Sequence, residues 1–248
     1  MTMQQAHGDA PQGEQTPAFT LEPERNAAFV GLGGGELALL VSMVGTPASR
    51  RVLELLGLHE LAADARCQSL AASSLCARGL LKLEDDGRYL PQYAGLAVVY
   101  VVRDALNWLA ASMLDEDVER NGVIVIECAE GALLLERGQL DSYQLSVVDG
   151  SMPMVEMLRE LVDTHLALAE DGIVALEAKR VDAGDVPTRT LAIRLAEDVD
   201  DEAMDAELYD LAVAQFTGPR TPEPIQHHGC DGAILNRGLS KLVLQRTS

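Results

Sequence analysis

Aromatic side chains are scarce in this chain: Phe, Tyr and Trp make up 4% of its 248 residues, with a single Trp. The core must therefore rest on Leu, Val, Ile and Ala, which the 48% hydrophobic content supplies. Positive charge is scarce too. Nineteen Lys and Arg stand against 39 Asp and Glu, a formal net charge of -20. Such a surface repels phosphate, anionic lipid and acidic substrates, and the balance points away from nucleic acid. Paired cysteine motifs are absent. Cys67, Cys76, Cys128 and Cys230 form no C-x-x-C, and all but Cys230 sit in apolar sequence, the pattern of buried free thiols in a reducing compartment. The longest apolar run, residues 95–114, is interrupted by Arg103, Asp104 and Asn107 and does not read as a bilayer span. Residues 1–24 carry neither the basic nor the apolar region of a signal peptide. The expectation is a cytoplasmic protein that makes no membrane contact.

Residues 1–23 are rich in Gln, Gly, Pro and Thr and read as a disordered tail, with order beginning near Asn26. Three helices are expected over 36–45, 48–56 and 60–77. Thr46-Pro47 serves as an N-terminal cap, and Gly45 and Gly57 are stops. The third helix is expected to bury Leu61, Ala65, Leu70, Ala71 and Leu75. The stretch Leu75-Cys-Ala-Arg-Gly-Leu-Leu-Lys-Leu-Glu-Asp-Asp-Gly-Arg-Tyr-Leu-Pro91 then ends a helix at Gly79. It continues as an alternating strand, turns at Asp86-Gly87 and closes on a second strand. Leu81, Leu83 and Tyr89 are expected on the inner face of that hairpin. This is how a winged helix-turn-helix ends. A longer apolar helix is expected over 92–114, and the acidic stretch 115–119 is the expected boundary between two parts.

Beyond it the period changes. Strands are expected over 123–128, 132–136 and 143–148, a helix from Pro153 to about 169, and a hairpin of 173–178 with 190–195. A last acidic helix is expected over 200–216, and a short helix or edge strand over 234–245. The fold class is α+β: a winged-helix-like helical N-terminal part (26–116, after a tail at 1–25), followed by a mostly antiparallel sheet with helices on one face (117–248). A ββα pattern occurs twice, but residue identity gives no internal repeat.

Gly31-Leu-Gly-Gly-Gly-Glu36 has a carboxylate where a dinucleotide fingerprint needs its last Gly, and no Lys-Ser/Thr follows. It reads as a flexible lead into the first helix. His227-His228-Gly-Cys230-Asp231 gathers potential metal ligands, yet no spaced partner supports it, and His165 and His59 have no spacing that nominates them. A polar surface loop is the simpler reading. No G-x-S-x-G is present, and no carboxylates form a recognisable acid-base pair; Glu127 and Glu136 could lie across a hairpin from each other, where outward-facing carboxylates are more often simply solvated. The acidic run from Glu197 to Asp210 suits a helix N-terminus and lacks the order of a calcium loop. No catalytic residue, cofactor or metal is assigned. A DNA reader would use the third helix, which offers Arg66, Gln68, Ser69, Ser73, Ser74 and Arg78. The wing carries Lys82 and Arg88 but also Glu84, Asp85 and Asp86, and Arg50 and Arg51 make a small basic spot.

Leu56-Gly-Leu58, a helix ending Leu75-x-x-Arg-Gly-Leu80, then Asp86-Gly87 and a strand-rich half with two amphipathic helices together resemble the EspG family of actinobacteria over residues 37–216. Proteins of that family are cytosolic chaperones that hold substrates of the type VII secretion system before export. The resemblance implies a non-enzymatic protein-binding role, another protein (a secreted substrate) as partner, and no cofactor. It assigns no substrate-binding residue. Two alternatives stand beside it: a winged-helix transcriptional regulator with a sensing domain, and a small-molecule or metal-binding enzyme. The sequence leaves the oligomeric state open.

Overall fold

The computed structural model describes residues 30–115, 118–151, 153–168, 172–181, 189–195, 209–215 and 226–243. The expected tail at 1–23 and most of the acidic run lie outside these residues. The chain opens with β1 (Val30–Gly33), α1 (Gly34–Ser42) and α2 (Pro47–Leu56). Thr46 caps α2 by accepting the Ser49 N–H at 3.1 Å, and Gly57, at φ 70, ends it.

The helix expected over 60–77 is instead two, α3 (His59–Ala63) and α4 (Ala65–Ala77). Asp64 breaks it: its backbone is extended, and its carboxylate accepts the N–H groups of Arg66 at 2.8 Å and Cys67 at 3.0 Å. A side chain that satisfies free N–H groups at a helix start competes with continuing the helix through it. The break changes the buried face. Ala71, Ala72 and Leu75 are buried, whereas Leu70, expected inside, is 65% exposed.

The hairpin is β2 (Leu81–Leu83) with β3 (Tyr89–Pro91), turned at Gly87 with φ 83. Each strand has only three residues, so Leu81 alone reaches the core; Leu83 and Tyr89, paired at the far end, are exposed. Next comes α5 (Tyr93–Arg103), which stops eleven residues before the expected end at 114. Residues from Asn107 on form β4 (Asn107–Asp115). An apolar run suits a strand buried on both faces as well as a buried helix, and here the sheet captures it. Leu106 donates its N–H to the Glu127 carbonyl at 2.8 Å and accepts from Val181 at 2.9 Å. β4 pairs with β5 (Val118–Glu127) from Asn107↔Glu127 to Asp115↔Val118, so the strands on both sides of the expected boundary at 115–119 belong to one antiparallel ladder.

The remaining elements are β6 (Gly131–Arg137), β7 (Ser142–Asp149), α6 (Met154–Leu168), β8 (Ile173–Arg180), β9 (Arg189–Leu195), β10 (Tyr209–Gln215), β11 (Gln226–Cys230) and α7 (Gly232–Ser240). Residues 209–215, expected in an acidic helix, are a strand whose seven positions all pair with β9. Their alternation, Tyr-Asp-Leu-Ala-Val-Ala-Gln, fits a sheet as well as a helical stripe, and cross-strand pairing decides between the two.

The fold is α+β. Nine strands form one antiparallel sheet in the order β1-β7-β6-β5-β4-β8-β9-β10-β11. A repeat invisible in residue identity emerges in this order. Four strands and a helix (β4 to β7, then α6) are followed by four strands and a helix (β8 to β11, then α7). The two sets run outward from the β4–β8 junction. Helices α6 and α7 lie on one face, with Leu158, Val162, Leu166, Leu235 and Leu239 buried against Leu109, Val125, Val174 and Ile193. The winged-helix-like part, α1 to α5 with the β2–β3 hairpin, covers the other face, with Leu37, Leu40, Val98 and Val102 packed on Trp108, Ile126, Leu133, Leu135 and Leu145. Each fully buried Leu contributes about 1.5–3 kcal/mol.

The crossing of α5 over the start of the hairpin admits no side chain at Gly95. A β-carbon there would lie 2.5 Å from the Leu80 carbonyl oxygen and 3.3 Å from Leu40. Gly95→Ala is therefore expected to destabilise the protein by roughly 2–3 kcal/mol, measured by urea unfolding.

Candidate protein-binding surface

The glycine-rich stretch at the start of the winged helix is a site of close packing. β1 feeds directly into α1, and a β-carbon on Gly35 would sit 2.8 Å from the Cys67 sulfur. Gly34 donates its N–H to the Asp141 carbonyl at 2.8 Å. The position where a phosphate would rest on the helix start holds the chain's own carboxylate. Glu36 accepts the Gly33 N–H at 2.8 Å, the Ser74 hydroxyl at 2.7 Å and Arg78 Nη1 at 2.8 Å. Arg78 also donates to the Gly31 carbonyl. Burial pushes the Glu36 carboxyl upward. The Ser74 and Gly33 hydrogen bonds and the Arg78 guanidinium together outweigh that and hold it below the ordinary carboxylate range. This clamp ties β1, α1 and the end of α4 together.

Several of the residues that a DNA reader would use have partners within the molecule. Of the six polar residues singled out on the third helix, Ser74 and Arg78 hold Glu36, and Gln68 donates to the Leu61 carbonyl at 3.2 Å. In the wing, Lys82 pairs with Glu84 at 2.9 Å and Arg88 with Asp86 at 2.6 Å. Arg51 pairs with Glu54 and Arg103 with Asp104. Residues 34–105 contain seven Lys and Arg against eight Asp and Glu. Five of those seven are thus in ion pairs, and Arg50 and Arg66 remain. The acidity lies elsewhere: from residue 106 onward, 27 acidic residues face eleven basic ones.

Among the charged and polar side chains that this part turns outward stand several large apolar ones. Among the described residues, seven large hydrophobic side chains are exposed, and six of them fall between residues 70 and 96. Leu70 lies on α4. Leu83, Tyr89 and Leu90 lie on the hairpin, with Leu83 opposite Tyr89 and Leu90 opposite Lys82. Tyr93, 68% exposed, and Leu96 stand one turn apart on α5. Tyr93 has φ 47, left-handed backbone that a bulky residue rarely adopts. Sequence reasoning missed these residues. Alternation marked Leu83 and Tyr89 as inward, and only the shortness of the strands, with the core ending at Leu81, turns them out.

The other groupings come apart. Glu127 and Glu136 are not opposed: Glu127 pairs with Ala132, and Glu136 with Val123. Glu127 is 1% exposed and accepts the Asn107 amide at 2.6 Å, and the same amide reaches the Leu242 carbonyl at 2.9 Å, joining the end of α7 to β4 and β5. His227 and His228 are neighbours on β11, paired with Ala212 and Leu211, and Cys230 pairs with Tyr209. The Asp231 carboxylate caps α7 through the Ile234 N–H at 2.7 Å. Among the described residues, no group of three or more His, Cys, Asp or Glu is placed to hold a metal. Cys67, Cys76 and Cys128 are free thiols, and burial pushes Cys128 up. His165 is buried on α6, with no hydrogen-bond partner for its Nε2 among the described residues. No helix of the described residues is long and apolar enough to cross a membrane.

No protein-family model matches the chain, and no curated protein does.

The Glu36 clamp makes an acid-range prediction. A carboxylate with a lowered folded pKa contributes stability that is complete above its unfolded pKa, about 4.3, and lost as pH falls through the folded value. Glu36→Gln is expected to cost roughly 2–3 kcal/mol at pH 7. The gap between wild type and variant should close as the pH is lowered below about 4. Chemical unfolding at a series of pH values checks both.

Proposed function

We propose that this chain is a non-enzymatic protein-binding adaptor or chaperone acting in the cytoplasm, and that the outer face of its winged helix is the surface that takes the partner. One observation carries the reading. The face that a DNA-binding winged helix would turn to phosphates carries six exposed large hydrophobic side chains among its polar ones, and the wing's Lys82 and Arg88 each pair with a neighbouring carboxylate. Exposed Tyr and Leu side chains in a surrounding of balanced charge suit the centre of a protein interface. The resemblance to the EspG family supports a more specific form of the proposal: a chaperone that holds a secreted protein before export.

Binding through such a surface is governed by apolar burial, so it should hardly respond to salt. The complex recovered from native cells should survive a salt wash that strips a protein from DNA. Leu83→Asp combined with Tyr89→Asp should reduce partner recovery at least about tenfold, the loss of one or two interface anchors. Repeated recovery of the bare wild-type protein would count against the proposal. A second reading, a transcriptional regulator, draws on Arg50 and Arg66, whose charges have no ion pair among the described residues. It requires retarded DNA mobility that weakens steeply with salt, and no retardation at low salt would eliminate it.

A further inference from the structure

We propose that the Glu36–Arg78 clamp is a guard on one edge of the nine-stranded sheet, and that it keeps a second copy of this chain from adding a strand to β1. The inference is independent of the partner-binding surface proposed above. Among the described residues β1 is the end strand on its side of the sheet, paired with β7. An end strand turns a row of backbone N–H and C=O groups outward, and such a row is a template for another strand. In an antiparallel ladder the outward groups belong to alternate residues. On β1 these are Gly31 and Gly33. The Gly31 carbonyl accepts from Arg78 Nη2, and the Gly33 N–H donates to the Glu36 carboxylate at 2.8 Å, so both groups face away from β7.

Both outward residues are exposed glycines, and neither is required by space or by backbone. A β-carbon on Gly31 would meet nothing within 4 Å, and one on Gly33 would meet only the Glu36 carboxylate at 3.9 Å. Neither glycine has a positive φ. The edge therefore has no side chains of its own at these positions to hinder an incoming backbone. Shielding comes from the neighbouring helices instead, from Glu36 on α1 and from Arg78 at the end of α4. A bond from Arg78 to an exposed carbonyl adds little to stability, since water would serve the same oxygen. What it does is occupy the place that an incoming N–H needs. Moving Arg78 aside also parts it from Glu36, whose side chain is only 10% exposed, and leaves that carboxylate without its cation. A second copy must break this part-buried ion pair before it can pair with β1. In a two-fold arrangement of β1 against β1, both copies must break it.

Sedimentation velocity of the purified full-length protein and its variants, over about a hundredfold concentration range, tests the proposal. Arg78→Met removes both guanidinium bonds at once and should raise the self-association constant at least about tenfold over wild type. Ser74→Ala also takes a bond from Glu36 but leaves both backbone groups covered, so it should sediment as wild type does. Adding Gly31→Pro to Arg78→Met should restore wild-type behaviour. Proline removes the outward N–H that an added strand needs and leaves the ladder to β7 intact. Arg78→Lys serves where Arg78→Met does not fold. One ammonium cannot span Glu36 and the Gly31 carbonyl as the guanidinium does, and an increase in the same direction is expected. Folded Arg78 variants that sediment as wild type overturn the proposal. So does association that Gly31→Pro leaves in place, or a wild type whose own association is lost with Gly31→Pro. An equal increase with Ser74→Ala overturns it too, because the cause is then lost stability and not an opened edge.

Discussion

The strands from β4 to β7 are buried on both faces, and the rest of the architecture answers to that constraint. Along them, Trp108, Ile126, Leu133, Leu135 and Leu145 point to one side, while Leu109, Val123, Val125, Ala132 and Val148 point to the other. A sheet apolar on both sides needs two covering layers. The winged helix supplies one, with the faces of α1 and α5 turned onto the sheet. Helices α6 and α7 supply the other. The winged helix is therefore not an independent module on a tether: β1 joins the sheet edge beside β7, and the Glu36–Arg78 clamp locks that strand to the end of α4.

Docking one face of the winged helix onto the sheet determines which surface remains available. α1 and α5 turn inward, and the outer side of α4, the hairpin and the first turn of α5 stay in solvent. That remainder has a chemistry unlike the rest of the chain, with balanced charge, ion pairs closed on themselves, and large apolar side chains. The formal charge of -20 thus describes the sheet half and the segments around it far better than it describes the winged helix. Repulsion of polyanions by the whole protein and apolar contact by one part of it are compatible, because screening confines electrostatic effects to within about 8 Å at physiological ionic strength.

The approximate repeat of four strands and a helix has a physical rationale of its own. Within each set, neighbours in sequence are neighbours in the sheet, and the two sets join through β4 and β8 by the same antiparallel ladder that holds each together. Side chains at equivalent positions are free to diverge, because one meander is covered on both faces by helices that precede and follow it while the other packs mainly on α6 and α7. Element order preserves the repeat, and residue identity does not.

Local chemistry in the sequence was enough to determine the Thr46 cap, the stops at Gly57 and Gly79, the Asp86-Gly87 turn, most strands of the second half and the α+β class. Each depends on a few neighbouring residues and on periods of two or 3.6. Where the same residues satisfied both periods, as at 107–114 and 209–215, only pairing with a distant strand decided, since the hydrogen bonds that distinguish the outcomes come from β5, β8 and β9. The candidate surface belongs to the second kind. Whether Leu83 or Tyr89 is buried depends on how far the core extends beneath a three-residue strand. Whether Arg78 is available to a ligand depends on a carboxylate 42 residues away. Burial and charge pairing are properties of neighbours in space, and the linear order of the chain does not carry them.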